Sequence, residues 1–345
     1  MKSIAVLFCL LLASGARAAP APDVRLETDQ ARAALAILEI MASGGEPSDA
    51  DWERLWQSNG YRRLLERETA MGRGDGFGEA LRDWLSRDET VARHAEYRAA
   101  VERWRGFDAR RAGERAAAYL PAGIPLDATL YPVIKHTRNS FVFDLGGDPS
   151  IFMNIDPAHS PAYLEAVMTH ELHHVGLSRC EAPRDRERLG AQQKKVLDWL
   201  GVFGEGLAVL ATAGSPFRHP HYYSDAGEYL VWERDVANIA TDIVRMQAFF
   251  NKVLDGTLPE DRQRKELFSF IATGHVPQGP AYTVGWKMAV VVERHHGRDA
   301  LLGALCDPRE LMRLYNAAAR ETGKEGGATL PLWSEDFLSR LRAGG

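Results

Sequence analysis

The sequence predicts an α+β fold that is mainly α, with a small antiparallel sheet directly before one special helix. Three observations carry this. Apolar residues recur at helical spacing over most of the 345 residues. Three short runs with strand character, at 129–136, 140–145 and 151–155, are separated by Asn139 and by Gly146-Gly147-Asp148. Soon after them comes His170-Glu171-Leu172-His173-His174, an H-E-x-x-H pattern that needs a helix to be useful. Apolar residues make up 45% of the chain, enough for an ordinary core.

The chain opens on a targeting pattern at 1–18. Lys2 gives a positive start, residues 4–13 an apolar run, and Ala16-Arg17-Ala18 a small-x-small cleavage site. The apolar run is too short to span a bilayer. Phe8 before Cys9 argues against a lipid-anchored cysteine, and no later stretch reads as long and apolar enough for a membrane helix. The expectation is export, to the periplasm or medium, with no membrane span in the mature chain. The net charge is −5, and loss of Lys2 and Arg17 makes it −5 − 2 = −7. No basic stripe is interleaved with aromatics, so nucleic acid is a poor partner.

Residues 19–125 form an expected N-terminal helical region and 126–345 a second region that holds the site. Residues 23–120 read as helices, among them 31–41, two between 52 and 71 broken at Asn59-Gly60, 79–85, and 88–105. Nothing there looks catalytic, and His94 reads as solvated or at the core edge. The strand runs follow the boundary at 121–125. Asp156 before Pro157 reads as a turn former.

Ser160-Pro161 starts the next helix, Ser as N-cap and Pro at its first position. Glu165 suits its positive N-terminal end. Leu164, Val167, Met168, Leu172 and Val175 give it an apolar flank, and Gly176 and Ser178 mark its end. Residues four apart share a helix face, so His170 and His174 can aim two imidazoles at one metal ion. Glu171 sits beside the first, placed to take a proton from water. Two ligands leave a catalytic zinc site incomplete. The best third is Glu205, 31 positions beyond His174, in Gly204-Glu205-Gly206-Leu207-Ala208. A carboxylate among small apolar residues is costly to bury unless it is paired or metal-bound. The small neighbours would let its helix approach the His170 helix.

H-E-x-x-H followed by a Glu in an E-G-L-A setting resembles the gluzincin class of zinc metallopeptidases. Gly-Glu-Gly-Leu-Ala is similar to the N-E-G-F-A segment of their aminopeptidase branch, at a longer spacing. The pattern looks closest to poorly characterised zinc-dependent peptidases of the bacterial envelope. The resemblance covers about 152–289. It implies a zincin-like region in which His170, His174 and Glu205 hold Zn2+, Glu171 is the general base, and a peptide or protein is the substrate. It also implies an edge strand that holds extended substrate, for which 152–156 is the candidate. Thermolysin-like members place an Asp four residues after the ligand Glu, where this chain has Val209. The partner that would orient a ligand is therefore unassigned.

The remainder supports the site or closes the fold. Residues 214–225 form a loop whose His219, His221, Tyr222 and Tyr223 could line a pocket. Helices are expected at 228–254 and 259–270, followed by a Gly/Pro loop at 274–280. The next helix opens with Tyr282. Amide hydrolysis builds charge on the carbonyl oxygen, and Tyr282 or His275 could donate to it. A Tyr ahead of a Gly-containing helix also resembles the corresponding segment of these peptidases. His295 and His296 read as exposed at a helix end. Helices at 298–322 and 334–341 flank a Gly-rich link at 323–328. Cys180 and Cys306, the two cysteines beyond the leader, could pair in an oxidising compartment or stay as free thiols. Two other functions fit the same residues. One is an envelope scaffold that keeps the site without turnover. The other is a zinc hydrolase of non-peptide amides.

Overall fold

A computed structural model describes residues 22–224, 226–272, 278–324 and 329–342. The 1–18 leader, His275 with most of its loop, and the core of the 323–328 link lie outside the described residues. The chain is mainly helical with one four-stranded sheet, as expected for α+β. Strand β1 (Asp23–Leu26) leads into α1 (Asp29–Ala42), α2 (Asp49–Trp56), α3 (Asn59–Ala70), α4 (Phe77–Leu85), α5 (Asp88–Val91), α6 (His94–Arg105) and α7 (Ala109–Ala117). Then come β2 (Asp127–Val133), β3 (Phe141–Phe143), β4 (Ser150–Asn154) and α8 (Pro161–Leu177). The rest is helical: α9 (Ala191–Trp199), α10 (Gly204–Ala213), α11 (Ala226–Ala237), α12 (Ile239–Leu254), α13 (Glu260–Ile271), α14 (Pro280–His296), α15 (Arg298–Ala304), α16 (Pro308–Lys324) and α17 (Glu335–Arg340).

The sheet corrects the expectation of an antiparallel one. Its order is β1-β2-β4-β3; β1 and β4 both pair parallel to β2, and only β3 runs antiparallel, against β4. β1 falls where helices alone were expected. The Gly146-Gly147-Asp148 turn does join a hairpin, β3 to β4, but Asn139 does not fold β2 back on its neighbour. β4 is buried along its whole length and β2 after its first residue, as parallel strands covered on both faces are. Strand 152–156 is therefore not an edge; β4 lies inside the sheet and β3 is the outer strand beside it.

Other differences are local. The expected helix 228–254 is two, α11 and α12, broken at Asn238. The stretch 88–105 is α5 and α6, and a short 3-10 turn, Arg186–Arg188, precedes α9. His295 and His296 are half-buried, His295 Nε2 lying 2.7 Å from the Thr322 hydroxyl, so they are not exposed. The run Ala191–Ala213 is long and apolar enough for a membrane span by length and composition, contrary to the sequence reading. Its most apolar window is 72% buried inside the protein, so here it packs as a core helix.

Two apolar cores meet along α8. Leu38, Leu130, Ile151, Leu164, Leu172 and Val175 belong to one, built from the N-terminal helices, the sheet and α8. Leu207, Leu210, Phe249, Val284, Met288 and Trp333 belong to the other, built from the later helices. Ser160 caps α8 by accepting from the Tyr163 amide at 3.1 Å, with Pro161 at the first helical position. Cys180, just after α8, is disulfide-bonded to Cys306 at a Cα separation of 5.3 Å, which ties the end of that helix to the segment before α16.

Candidate metal centre

The site lies where the two cores meet. His170 and His174 stand one turn apart on α8, and Glu205 reaches them from the first turn of α10. His170 Nε2 and His174 Nε2 are 3.0 Å apart, and each is 3.1 Å from Glu205 Oε2. These three donor atoms form the one such His/Cys/Asp/Glu group among the described residues. Four ligands about 2 Å from a tetrahedral zinc stand roughly 3.3 Å from one another. Two neutral imidazole nitrogens and a carboxylate oxygen at these separations therefore suit a zinc-sized ion with one position left open.

The local electrostatics follow from burial and from this crowding. Burial alone would raise the Glu205 carboxyl, but His174 and His170 hold it well below the ordinary value. Burial lowers His174, yet the Glu205 charge outweighs it and raises the imidazole to about 9. The carboxylate is thus held in the charged form that a cation needs, whereas the proton that Glu205 favours on His174 would be displaced by a bound ion.

Glu171 is 7% exposed. Burial raises its pKa, the two imidazoles pull it down, and Glu205 pushes it up again. It is thus an ionisable group in a dry setting, beside His170. Tyr282, in the first turn of α14, stacks its ring against His170 at 6.1 Å and 12°. Burial, then the charge of Glu205 and a hydrogen bond to it, keep the phenol well above its ordinary pKa, so the hydroxyl stays a donor. The structure thus brings His170, Glu171, His174, Glu205 and Tyr282 into one place.

The small residues around Glu205 bring α10 against α8, as expected, and also against α14. The close approach at Gly206 is to α14, where a methyl would overlap the Trp286 amide and lie 2.5 Å from the Tyr282 carbonyl oxygen. Contact with α8 is made by Gly204 beneath Leu177 and by the Thr212 hydroxyl on the Ala166 carbonyl at 3.3 Å. Val209 is buried and offers no polar partner to a ligand.

The loop after α10 divides. His221 is 6% exposed, 3.0 Å from the Ser224 hydroxyl, and close enough to His170 to feel its charge. Tyr223 meets Tyr163 of α8 edge-on at 5.9 Å. His219 instead lies 3.1 Å from Glu233 and stacks on Tyr229, and Tyr222 accepts from Arg115. Two residues were missed by the sequence reading. Arg115 of α7 binds Glu165 at 2.6 Å, the Thr212 carbonyl and the Tyr222 hydroxyl, so one guanidinium joins α8, α10 and the loop. His173, fully buried, lies 3.1 Å from the Tyr119 carbonyl and fixes the far face of α8. Nothing in their local sequence distinguishes either from an ordinary Arg or core His.

No curated protein and no solved structure matches the chain. Residues 52–324, most of the chain and all five site residues, match the family described as "Putative zinc dependent peptidase (DUF5700)". With a donor set that suits zinc at the centre of that match, the chain belongs to this family.

Proposed function

We propose that this chain is a zinc metallopeptidase of gluzincin type, exported from the cell, that cleaves peptide bonds. The observation that carries the reading is the convergence of His170 Nε2, His174 Nε2 and Glu205 Oε2 on one point. His170, His174 and Glu205 would hold a zinc ion, which would polarise a carbonyl and acidify water there. Glu171 takes the proton of the attacking water and passes it to the leaving nitrogen, which its dry position beside His170 suits. Tyr282 donates its hydroxyl to the oxygen on which charge builds, and its raised pKa keeps that proton available. The outer strand β3 is the edge open to an extended peptide. The Cys180–Cys306 bridge supports an oxidising compartment.

The test is Glu171→Gln. It keeps the shape and should keep the zinc, while hydrolysis of a denatured-protein substrate should fall by roughly a thousandfold or more. A variant that retains wild-type hydrolysis would remove Glu171 from the chemistry. A wild type that binds zinc yet cleaves no peptide in a broad library, and cleaves cell-wall amides instead, would move the substrate class.

A further inference from the structure

A second site lies apart from the metal ligands. β2 and β4 run parallel and end side by side, and beyond their carboxyl ends is a cavity of about 260 Å³. In sheets with parallel strands this is a favoured position for a ligand. His136 and Asn154 to Asp156 come from the strand ends, and Trp84 and Tyr97 from the N-terminal helices form an aromatic wall.

The polar groups that line it, Glu89 and Asp156 among them, are only loosely paired with one another. Arg93 spends Nε on Glu96 at 2.9 Å, and its Nη2 stops 3.8 Å from Asp156. Arg138 Nε stops 4.0 Å from the same carboxylate. Neither guanidinium is within hydrogen-bond reach of Asp156, whose Oδ1 already accepts from the Ala158 amide at 3.0 Å. Lys135, 4% exposed, also lines the cavity and donates to Thr137 and Asn139. Burial first, and then Lys135, hold His136 below its ordinary pKa, as expected in a positive field. Asn154 is 3% exposed and lines the cavity, and its Oδ1 meets no hydrogen-bond partner among the described residues. Buried polar atoms are rarely left so.

We propose that this cavity binds a carboxylate, and specifically the carboxyl end of a peptide. A carboxylate between Arg93 and Arg138 would take the planar, charge-assisted bonds that guanidinium groups make best. The peptide N–H next to a terminal carboxylate would give Asn154 Oδ1 its missing donor. Trp84 and Tyr97 would cover the apolar part of the last residue. The site does not depend on the hydrolytic reading, because binding alone defines it.

The test is calorimetric titration of the zinc-loaded full chain carrying Glu171→Gln, so that no probe is consumed. The probes are acetyl-trialanine as the free acid, the same peptide as its C-terminal amide, and succinate. The free acid should bind at least about tenfold more tightly than the amide, as expected for one lost charged pair. That preference should vanish in Arg93→Met and in Arg138→Ala and persist in Arg105→Ala, a 69% exposed arginine at the far end of α6, the helix that Arg93 precedes. Binding of the acid without succinate assigns a peptide end; equal binding of succinate assigns a free dicarboxylate to the same cationic pair. Equal binding of acid and amide overturns the proposal. So does an acid preference that survives both arginine substitutions, which would place the carboxylate at the metal centre.

Discussion

Gly206 on α10 and Gly285 on α14 lie at a backbone-to-backbone crossing. A methyl on Gly206 would run into the Gly285 carbonyl carbon and the Trp286 amide, and one on Gly285 would lie 2.6 Å from the Phe203 carbonyl oxygen. The crossing sits one residue after Glu205 and one turn after Tyr282. It therefore sets how Glu205 and Tyr282 face each other.

Gly206→Ala should cost about 1–3 kcal/mol or more, since the obstacles are main-chain atoms that cannot rotate away. It should also weaken zinc binding, because relief of the overlap moves Glu205. Gly201→Ala, where nothing lies within 4 Å of the added carbon, is the control and should change stability by no more than about 0.5 kcal/mol. Denaturant unfolding and zinc titration of both variants check this. Equal effects at the two positions would contradict it.

Tyr282→Phe should keep the metal and lower kcat by about 10²–10³-fold, the usual loss for one donor to a developing oxyanion. KM should change little, because the interaction forms mainly in the transition state. A variant with unchanged kcat and weaker zinc would show that Tyr282 only braces Glu205.

Cys306→Ser should lower stability by about 2–4 kcal/mol, because the bridge closes a long loop across 126 positions of sequence. Reduction of the wild type should shift its unfolding midpoint equally. An unfolding curve indifferent to reductant would show that the bridge adds nothing.

Lys135 should leave a mark on the pH dependence of stability. Burial, reinforced by Arg67 and opposed by Glu68, lowers its ammonium to about 7. Between pH 7 and its ordinary value of 10.5 the unfolded chain holds a proton that the folded chain has released. Its contribution therefore rises with pH across that window, by up to about 1.4 kcal/mol per pH unit, and is least favourable below it. Lys135→Met should lack this rise. Parallel pH profiles for wild type and variant would contradict the assignment.

Much of the site was legible because its chemistry is local. Ser160-Pro161, the four-residue spacing of His170 and His174, and a Glu among small residues each state a physical requirement within a few positions. The sheet was less legible. Residues 130–134 form a nearly unbroken apolar run, the mark of a strand covered on both faces, but a run gives no pairing partner. β1 is only four residues long and finds β2 after about a hundred residues of helix, a separation that local pattern does not reach. α10 does pack on α8 as expected, but for the same reason nothing in its sequence showed that Gly206 faces α14, a helix eighty residues later. Arg115 was silent because its role is to join elements brought together by the fold.

The central claim is that His170, His174 and Glu205 hold one zinc ion. The direct measurement is metal content of the purified chain, wild type beside His174→Ala and Glu205→Ala, with circular dichroism to show that each stays folded. The account predicts one zinc per chain in the wild type and its loss, or much weaker retention, in both variants. A wild type that takes up no zinc when it is supplied, or a Glu205→Ala chain that holds it undiminished, would contradict the site.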